Sequence, residues 1–482
     1  MKNKKDNMAP MRFDPVTGAP IMENTGYYKT TQPEKDNKVK MFLKGNKTMY
    51  ILCAVVAVVL VLGIGFGSGA FLSNNSKILK AAYKTLDESN LLDSMGVYES
   101  LAEGKISCQA EGQVYIDKVM LGADLDYSMN CEKAKYSITG NVTAGGNTID
   151  VNAYVDEKEA LLQVPFVSEN IFKYSFEDYN ITGFLANEIG EDDIQEINQT
   201  VNGVFALSKK APTFNKKIKK LVLKHYNKLK FKKTDSKSMT IDGKSRKCKG
   251  YMVEITDDDA RDFILDVQEA YNEYYKETVG SNAYFKEYNL DEEFQELIQM
   301  CNKIGNVNTL DVCIYLYKGK LAAISSKDMA LSLYFQGGGK RMTNMELRYE
   351  GLYDNFTIKK NGSMNGKKEI GKIICSEGKS STQIATYGYN YKSGEFDLSV
   401  TSLLTMSGAL DMKRNSIQLT IDNLNVENYN VGNGNITLKK GENVKYLRGD
   451  VFDFSQADSI EVENLLKEIQ YNIESLESMF DD

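Results

Sequence analysis

Ile149-Asp150-Val151-Asn152-Ala153-Tyr154-Val155-Asp156 alternates side chains that favour a core with side chains that favour water. Successive side chains of a strand point to opposite faces, so this period of two predicts a half-buried strand with one wet face. The same period spreads outward. Strands fit 104–116, 121–130, 134–142 and 159–165, with turns at Gly145-Gly146-Asn147 and Asp156-Glu157-Lys158. Short turns between strands make an antiparallel meander, not a βαβ pattern.

Further along the chain the pattern recurs. A strand fits 246–256, and strands follow one another from Leu310 to about Asp422, with turns expected at Lys318-Gly319 and Asn361-Gly362. Residues 423–436 are rich in Asn and Gly and are expected to form a loop. Helical periods occupy Ser76–Ser94, 178–230, 257–277, 290–304 and 456–479. Asp257, Asp258 and Asp259 suit a helix start, where carboxylates meet free N–H groups. The stretch Lys209–Lys233 carries eleven Lys and no acid around an apolar stripe. Such a helix suits anionic lipid or an anionic envelope polymer, or it packs its stripe on a sheet and solvates its lysines.

Toward the N-terminus, Thr48 to Leu72 carries no charge and is long enough to span a bilayer as a helix. The preceding residues hold ten Lys/Arg against five acids, so the tail is expected in the cytoplasm and the C-terminal part outside it. The long tail favours an uncleaved signal-anchor over a cleaved signal peptide. Gly63, Gly65, Gly67 and Gly69 give two overlapping GxxxG spacings, which suit helix self-association or reflect how common Gly is in membrane helices.

The expected organisation is a disordered basic tail over 1–47, a transmembrane helix over 48–72, and two helix-plus-antiparallel-sheet units over 73–210 and 211–482. The expected fold class is α+β: long curved antiparallel sheet with helices packed on one side.

Composition narrows the chemistry. The net charge is −7, and the basic tail leaves the rest more acidic still, which argues against nucleic acid as a partner. The chain has one His, His225, and no Trp. One imidazole leaves little material for Ser-His-Asp chemistry or His-rich zinc sites, so no catalytic, cofactor-binding or metal-binding residue is assigned. Cys108, Cys131, Cys248, Cys301, Cys313 and Cys375 follow the apolar stretch, an even count that fits three disulfides. Cys108 with Cys131, Cys301 with Cys313, and Cys248 with Cys375 is one pairing; free buried thiols are the alternative.

Phe13-Asp14-Pro15-Val16-Thr17-Gly18-Ala19-Pro20-Ile21 resembles a short motif near the N-terminus of uncharacterised, signal-anchored envelope proteins of Gram-positive bacteria. The join at Gly250–Leu265 also looks like one in exported proteins of such bacteria. The broad plan is similar to lipoprotein-carrier half-barrels, a likeness of architecture that carries no site residues.

Three functions follow as expectations. The first is a non-enzymatic single-pass cell-envelope protein whose extracytoplasmic domain binds an amphiphilic ligand or partner. The second is a structural or scaffolding membrane protein making protein–protein contacts. The third is a carboxylate-only hydrolase, which needs two acids roughly 5–10 Å apart in a cleft.

Overall fold

A computed structural model describes residues 12–13, 20–21, 74–87, 93–116, 119–176, 191–280, 282, 285, 290–305, 310–327, 329–337, 342–350, 355–401, 403–427 and 429–480. Near the N-terminus, β1 (Arg12–Phe13) and β2 (Pro20–Ile21) pair antiparallel, Arg12 opposite Ile21 and Phe13 opposite Pro20. The paired residues bracket the Asp14–Ala19 segment, which lies outside the described residues.

The C-terminal body starts with helices α1 (Asn74–Asp87) and α2 (Met95–Ala102). Six strands follow: β3 (Lys105–Ile116), β4 (Val119–Asn130), β5 (Lys135–Ala144), β6 (Asn147–Val155), β7 (Glu159–Gln163) and β8 (Ile171–Ser175). Helix α3 (Glu191–Lys228) leads to β9 (Lys232–Ile241) and β10 (Lys244–Ile255). Helices α4 (Asp257–Tyr274), α5 (Lys276–Val279) and α6 (Asp291–Gly305) come next. The second run of strands is β11 (Leu310–Tyr317), β12 (Lys320–Ser326), β13 (Leu331–Phe335), β14 (Asn344–Glu350), β15 (Asn355–Asn365) and β16 (Lys368–Glu377). It continues through β17 (Ser380–Asn390), β18 (Glu395–Val400), β19 (Leu404–Lys413), β20 (Ser416–Val426), β21 (Tyr429–Lys440) and β22 (Val451–Asp453) to helix α7 (Ser459–Phe480).

Neighbouring strands from β9 to β21 pair in sequence order, β21 then pairs with β3, and the order resumes from β3 to β8. Every one of these pairings is antiparallel; β22 adds to β8 in parallel. The β21–β3 ladder, Gly432–Lys440 against Ile106–Val114, joins the two runs of strands into one sheet.

This corrects the expected fold class. The body is mostly one large curved antiparallel sheet, rather than an α+β fold with helices packed along one side. No helix among the described residues is long and apolar enough to cross a membrane. The stretch Thr48–Leu72, with Gly63, Gly65, Gly67 and Gly69, lies outside the described residues. The physical reason is the length of the strands: at ten to twelve residues each, the hairpins of β3–β5 and β19–β21 pair along their length through the β21–β3 ladder and make one continuous sheet.

Two local expectations also change. Asn361-Gly362 is not a turn but the middle of β15; Asn361 faces Asn344, and Gly362 faces Gly371. A Cβ on Gly362 would stand 2.7 Å from Tyr387 Oη and 2.8 Å from Glu369 Oε1, so glycine here makes room for buried polar groups. The Asn/Gly-rich stretch 423–436 is not a loop; it completes β20 and forms the first two thirds of β21.

The disulfide expectation is corrected too. All six cysteines after the apolar stretch are free thiols. Cys108 faces Tyr127, whereas Cys131 follows Asn130, which faces Lys105. The two are thus about four residues apart along the hairpin, on the order of 13 Å. A disulfide needs Cα atoms within about 7 Å. Cys301 packs between α4 and α6 with Ile264 and Phe294, and Cys313 packs on the sheet with Cys248 and Tyr315.

Candidate functional site: an apolar sheet face

The register sorts side chains into alternating rows that cross the sheet. One row runs Met412, Ile417, Leu438, Cys108, Tyr127, Ile138, Ala153, Leu162, Phe172, one residue from each of nine adjacent strands. Two residues toward the other strand ends, a parallel row runs Leu410, Leu419, Ile436, Ala110, Leu125, Gly140, Val151. Between them, on the opposite face, lies Asp411, Gln418, Thr437, Gln109, Asp126, Thr139, Asn152, Gln163. The sheet therefore has one apolar and one polar face, as the Ile149–Asp156 alternation requires of its strand.

The apolar face is not fully covered. Tyr127, Val142, Leu162 and Ile436 are exposed, at 37 to 43%. Helix α3 covers one end of it, where Phe205 stacks on Tyr136 at 6.2 Å and packs with Phe176 against Val155, Ala160 and Tyr174. Beside that contact is a concavity of about 510 Å³, lined mainly by Tyr127, Tyr136, Ile138, Leu162, Phe172, Tyr174 and Phe454. Its walls are aromatic and aliphatic, and two of its hydroxyls are engaged: Tyr136 bonds Ser208, and Tyr174 donates to Asn198 Oδ1 at 2.9 Å. Burial pushes the Tyr136 phenol up to about 12, so it stays protonated. Such a wall has the chemistry to suit hydrocarbon.

Gly140 is needed by this arrangement. Its φ is +149°, and a Cβ there would sit 1.9 Å from the Asp124 carbonyl oxygen.

The polar face holds a shallow groove of about 520 Å³ with Glu111, Asp124, Asn141, Thr420 and Asn435 among its walls. Glu111 and Asp124 face each other across β3 and β4. Directly opposed residues stand about 5 Å apart at Cβ, so the sheet brings together a carboxylate pair that sequence spacing does not reveal. Both are exposed on one open face.

The remaining sequence candidates serve the fold. His225 Nε2 lies 2.6 Å from Asp266 Oδ2, and Lys224 donates to the same oxygen at 2.7 Å. Hydrogen bonds from Lys224 and then His225 hold Asp266 below the usual carboxylate range, and the trio clasps α3 to α4. Burial raises the thiols of Cys108, Cys248, Cys301, Cys313 and Cys375, which keeps them protonated and poorly nucleophilic. Tyr271 and Tyr275 stack at 5.2 Å within the α4–α6 packing. No group of three or more His, Cys, Asp or Glu among the described residues is arranged to hold a metal ion.

Sequence reasoning missed two polar clusters buried in the sheet. Glu346 accepts from Arg348, Lys359 and Gln336. Glu369 accepts from Tyr387 at 2.7 Å, from Tyr391, and from Lys360 at 2.9 Å. The sequence signal was the pair Gly362 and Gly371, which face each other beneath the Tyr387 hydroxyl.

No protein-family model matches the chain, and no curated protein matches it.

Proposed function

We propose that this is a non-enzymatic cell-envelope protein that holds an amphiphilic ligand, its hydrocarbon part laid on the apolar sheet face. One observation carries the reading: apolar and polar rows alternate across the same strands while the apolar rows stay partly exposed. A sheet packed for stability alone covers its apolar face. The basic tail and the uncharged stretch 48–72 support attachment at a membrane.

Magnitudes set where the ligand sits. A fully buried methylene contributes about 0.8 kcal/mol. Ten methylenes on an open face, buried on one side, contribute roughly 4 kcal/mol, which corresponds to millimolar affinity. Enclosed on both sides they contribute about 8 kcal/mol, which corresponds to micromolar affinity. The concavity between Tyr127 and Phe454, which is itself open to solvent, is therefore expected to bind more tightly than the flat rows but below the fully enclosed limit. The nine-strand row extends on the order of 38 Å at about 4.8 Å per strand, room enough for a long chain to continue beyond it.

Native mass spectrometry of the chain under mild conditions tests this. Extra mass released by organic solvent is expected, and Ile138→Asp is expected to abolish it. A clean mass from a folded, freshly purified protein that also takes up no added single-chain amphiphile would favour the scaffolding role.

A further inference from the structure

Strands β18, β19, β20, β21, β3 and β4 are consecutive neighbours, and their hairpin turns alternate between two rims of the sheet. At one rim the turns are polar and charged: Lys413-Arg414-Asn415-Ser416 between β19 and β20, and Cys131-Glu132-Lys133-Ala134 between β4 and β5. At the other rim the same strands end in large apolar side chains exposed to solvent. Tyr115, Ile116 and Val119 flank Asp117-Lys118 in the β3–β4 hairpin, Leu403 follows Thr401 and Ser402 between β18 and β19, and Tyr429 follows Glu427 and Asn428 at the start of β21. Ile116 is 55% exposed, Leu403 61% and Tyr429 76%. Six strands make a fringe about 24 Å wide. The turns themselves carry polar residues at both rims, but only at this rim do exposed large apolar side chains flank three adjacent turns, a patch that calls for a partner.

The path of the chain says which partner. Register followed from β3 through β21 to β9 puts Val114, Tyr429, Leu404, Tyr349 and Lys232 at this same rim. Asn74 sits there too: its side chain donates to the Phe231 carbonyl at 2.8 Å, and that of Asn75 to the Leu229 carbonyl at 2.9 Å. The chain therefore enters the body at the rim that carries the apolar patch, directly after the uncharged stretch 48–72. Lys228, Lys230, Lys232 and Lys233 are exposed around the entry point; Lys228 and Lys232 pair with Asp262 and Glu254, and Lys230 and Lys233 suit lipid phosphates.

The geometry points to a lipid bilayer as the occupant: this rim rests on the membrane, with Ile116, Leu403 and Tyr429 dipping into the interface. This goes beyond ligand binding and does not depend on it. It also turns one end of the apolar sheet face toward the lipid.

The chain contains no tryptophan, so one introduced by substitution reports alone. Ile116→Trp, Leu403→Trp and Tyr429→Trp, each in the full chain reconstituted into phosphatidylcholine vesicles, probe the patch. Tyr446→Trp probes the far strand ends, where Tyr446 donates to Glu159 and the Lys445 amide donates to Ser137. Lipid brominated on its acyl chains is expected to quench the three patch probes roughly twofold or more and to spare Tyr446→Trp. Equal quenching of all four, or of none, overturns the proposal. Patch probes that are shielded from aqueous iodide as protein concentration rises, without bromolipid quenching, would assign the patch to contact between copies and also overturn it. Failure to find a bound amphiphile leaves these readings unchanged, because they report depth in lipid.

Discussion

Glu369 shows how a single residue couples the apolar face to pH. Its carboxylate is buried, which by itself raises its pKa, but hydrogen bonds from Tyr391, Lys360 and Tyr387 outweigh burial and hold it below the usual range. Glu346 is held down the same way, chiefly by Arg348 and Lys359 against burial. Groups with a depressed native pKa contribute stability that is full above the unfolded value, about 4.3, and is lost as pH falls through the native value. Unfolding by urea followed from pH 7 to pH 3 is therefore expected to show stability falling below about pH 4.3, with a shallower fall in Glu369→Gln. Glu369→Ala strands Lys360 and two phenols and is expected to cost about 3–5 kcal/mol at pH 7. A cost near zero would mean the cluster is hydrated. The cysteines give a second prediction at this scale. Intact mass is expected not to change on reduction, and maleimide is expected to label Cys131 and Cys375 before the buried Cys248, Cys301 and Cys313.

At the scale of elements, β20 decides whether the apolar face stays continuous. Ile421 faces Gly434 and Leu424 faces Gly432, so β20 spends one more residue than β21 over this interval. Against β19, Asp422 is the extra residue, since Ile421 faces Gly408 and Asn423 faces Ser407. The bulge returns Leu424 and Val426 to the side of Ile417, Leu419 and Ile421. Deleting Asp422 is expected to turn both out to the polar face and to destabilise by about 2 kcal/mol, with more binding of an apolar dye. Helix α4 gives a smaller test: Thr256 Oγ1 accepts from the Asp259 amide at 3.0 Å and Asp259 returns the bond, so Thr256→Ala is expected to cost about 1 kcal/mol. These two elements also mark what was legible. The Asp257–Asp259 run announced its helix start, and the alternation at Ile149–Asp156 announced its strand, because both signals are local. The bulge breaks the period of two at Asp422, so 423–436 resembled a loop until β3 and β20 were seen pairing with it. Asn361-Gly362 misled for the same reason: the need for glycine comes from Tyr387, on another strand.

For the whole molecule, the open apolar face and the apolar rim raise one energetic question: what keeps such a surface from associating with copies of itself. On the proposed function, a ligand held in the concavity would cover the aromatic floor and be linked to folding, because it would bind the native state and not the unfolded chain. At a ligand concentration 100 times the dissociation constant this linkage contributes about 2.7 kcal/mol. Protein stripped of lipid by organic solvent extraction and refolded is thus expected to melt several degrees lower and to bind more apolar dye than protein purified mildly. A single-chain amphiphile is expected to restore the melting temperature saturably. Ile138→Asp, whose carboxylate would stand among Tyr127, Ala153 and Leu162, is expected to melt at the same temperature with and without the amphiphile. Gln109→Asp, in the polar row between the two apolar ones, is expected to keep the response, because only the other face touches hydrocarbon. Equal responses from both variants would separate the stabilising effect from the apolar face and place it in solvent or detergent chemistry instead. The choice of variants makes the face itself, and not the overall hydrophobicity of the chain, the quantity under test.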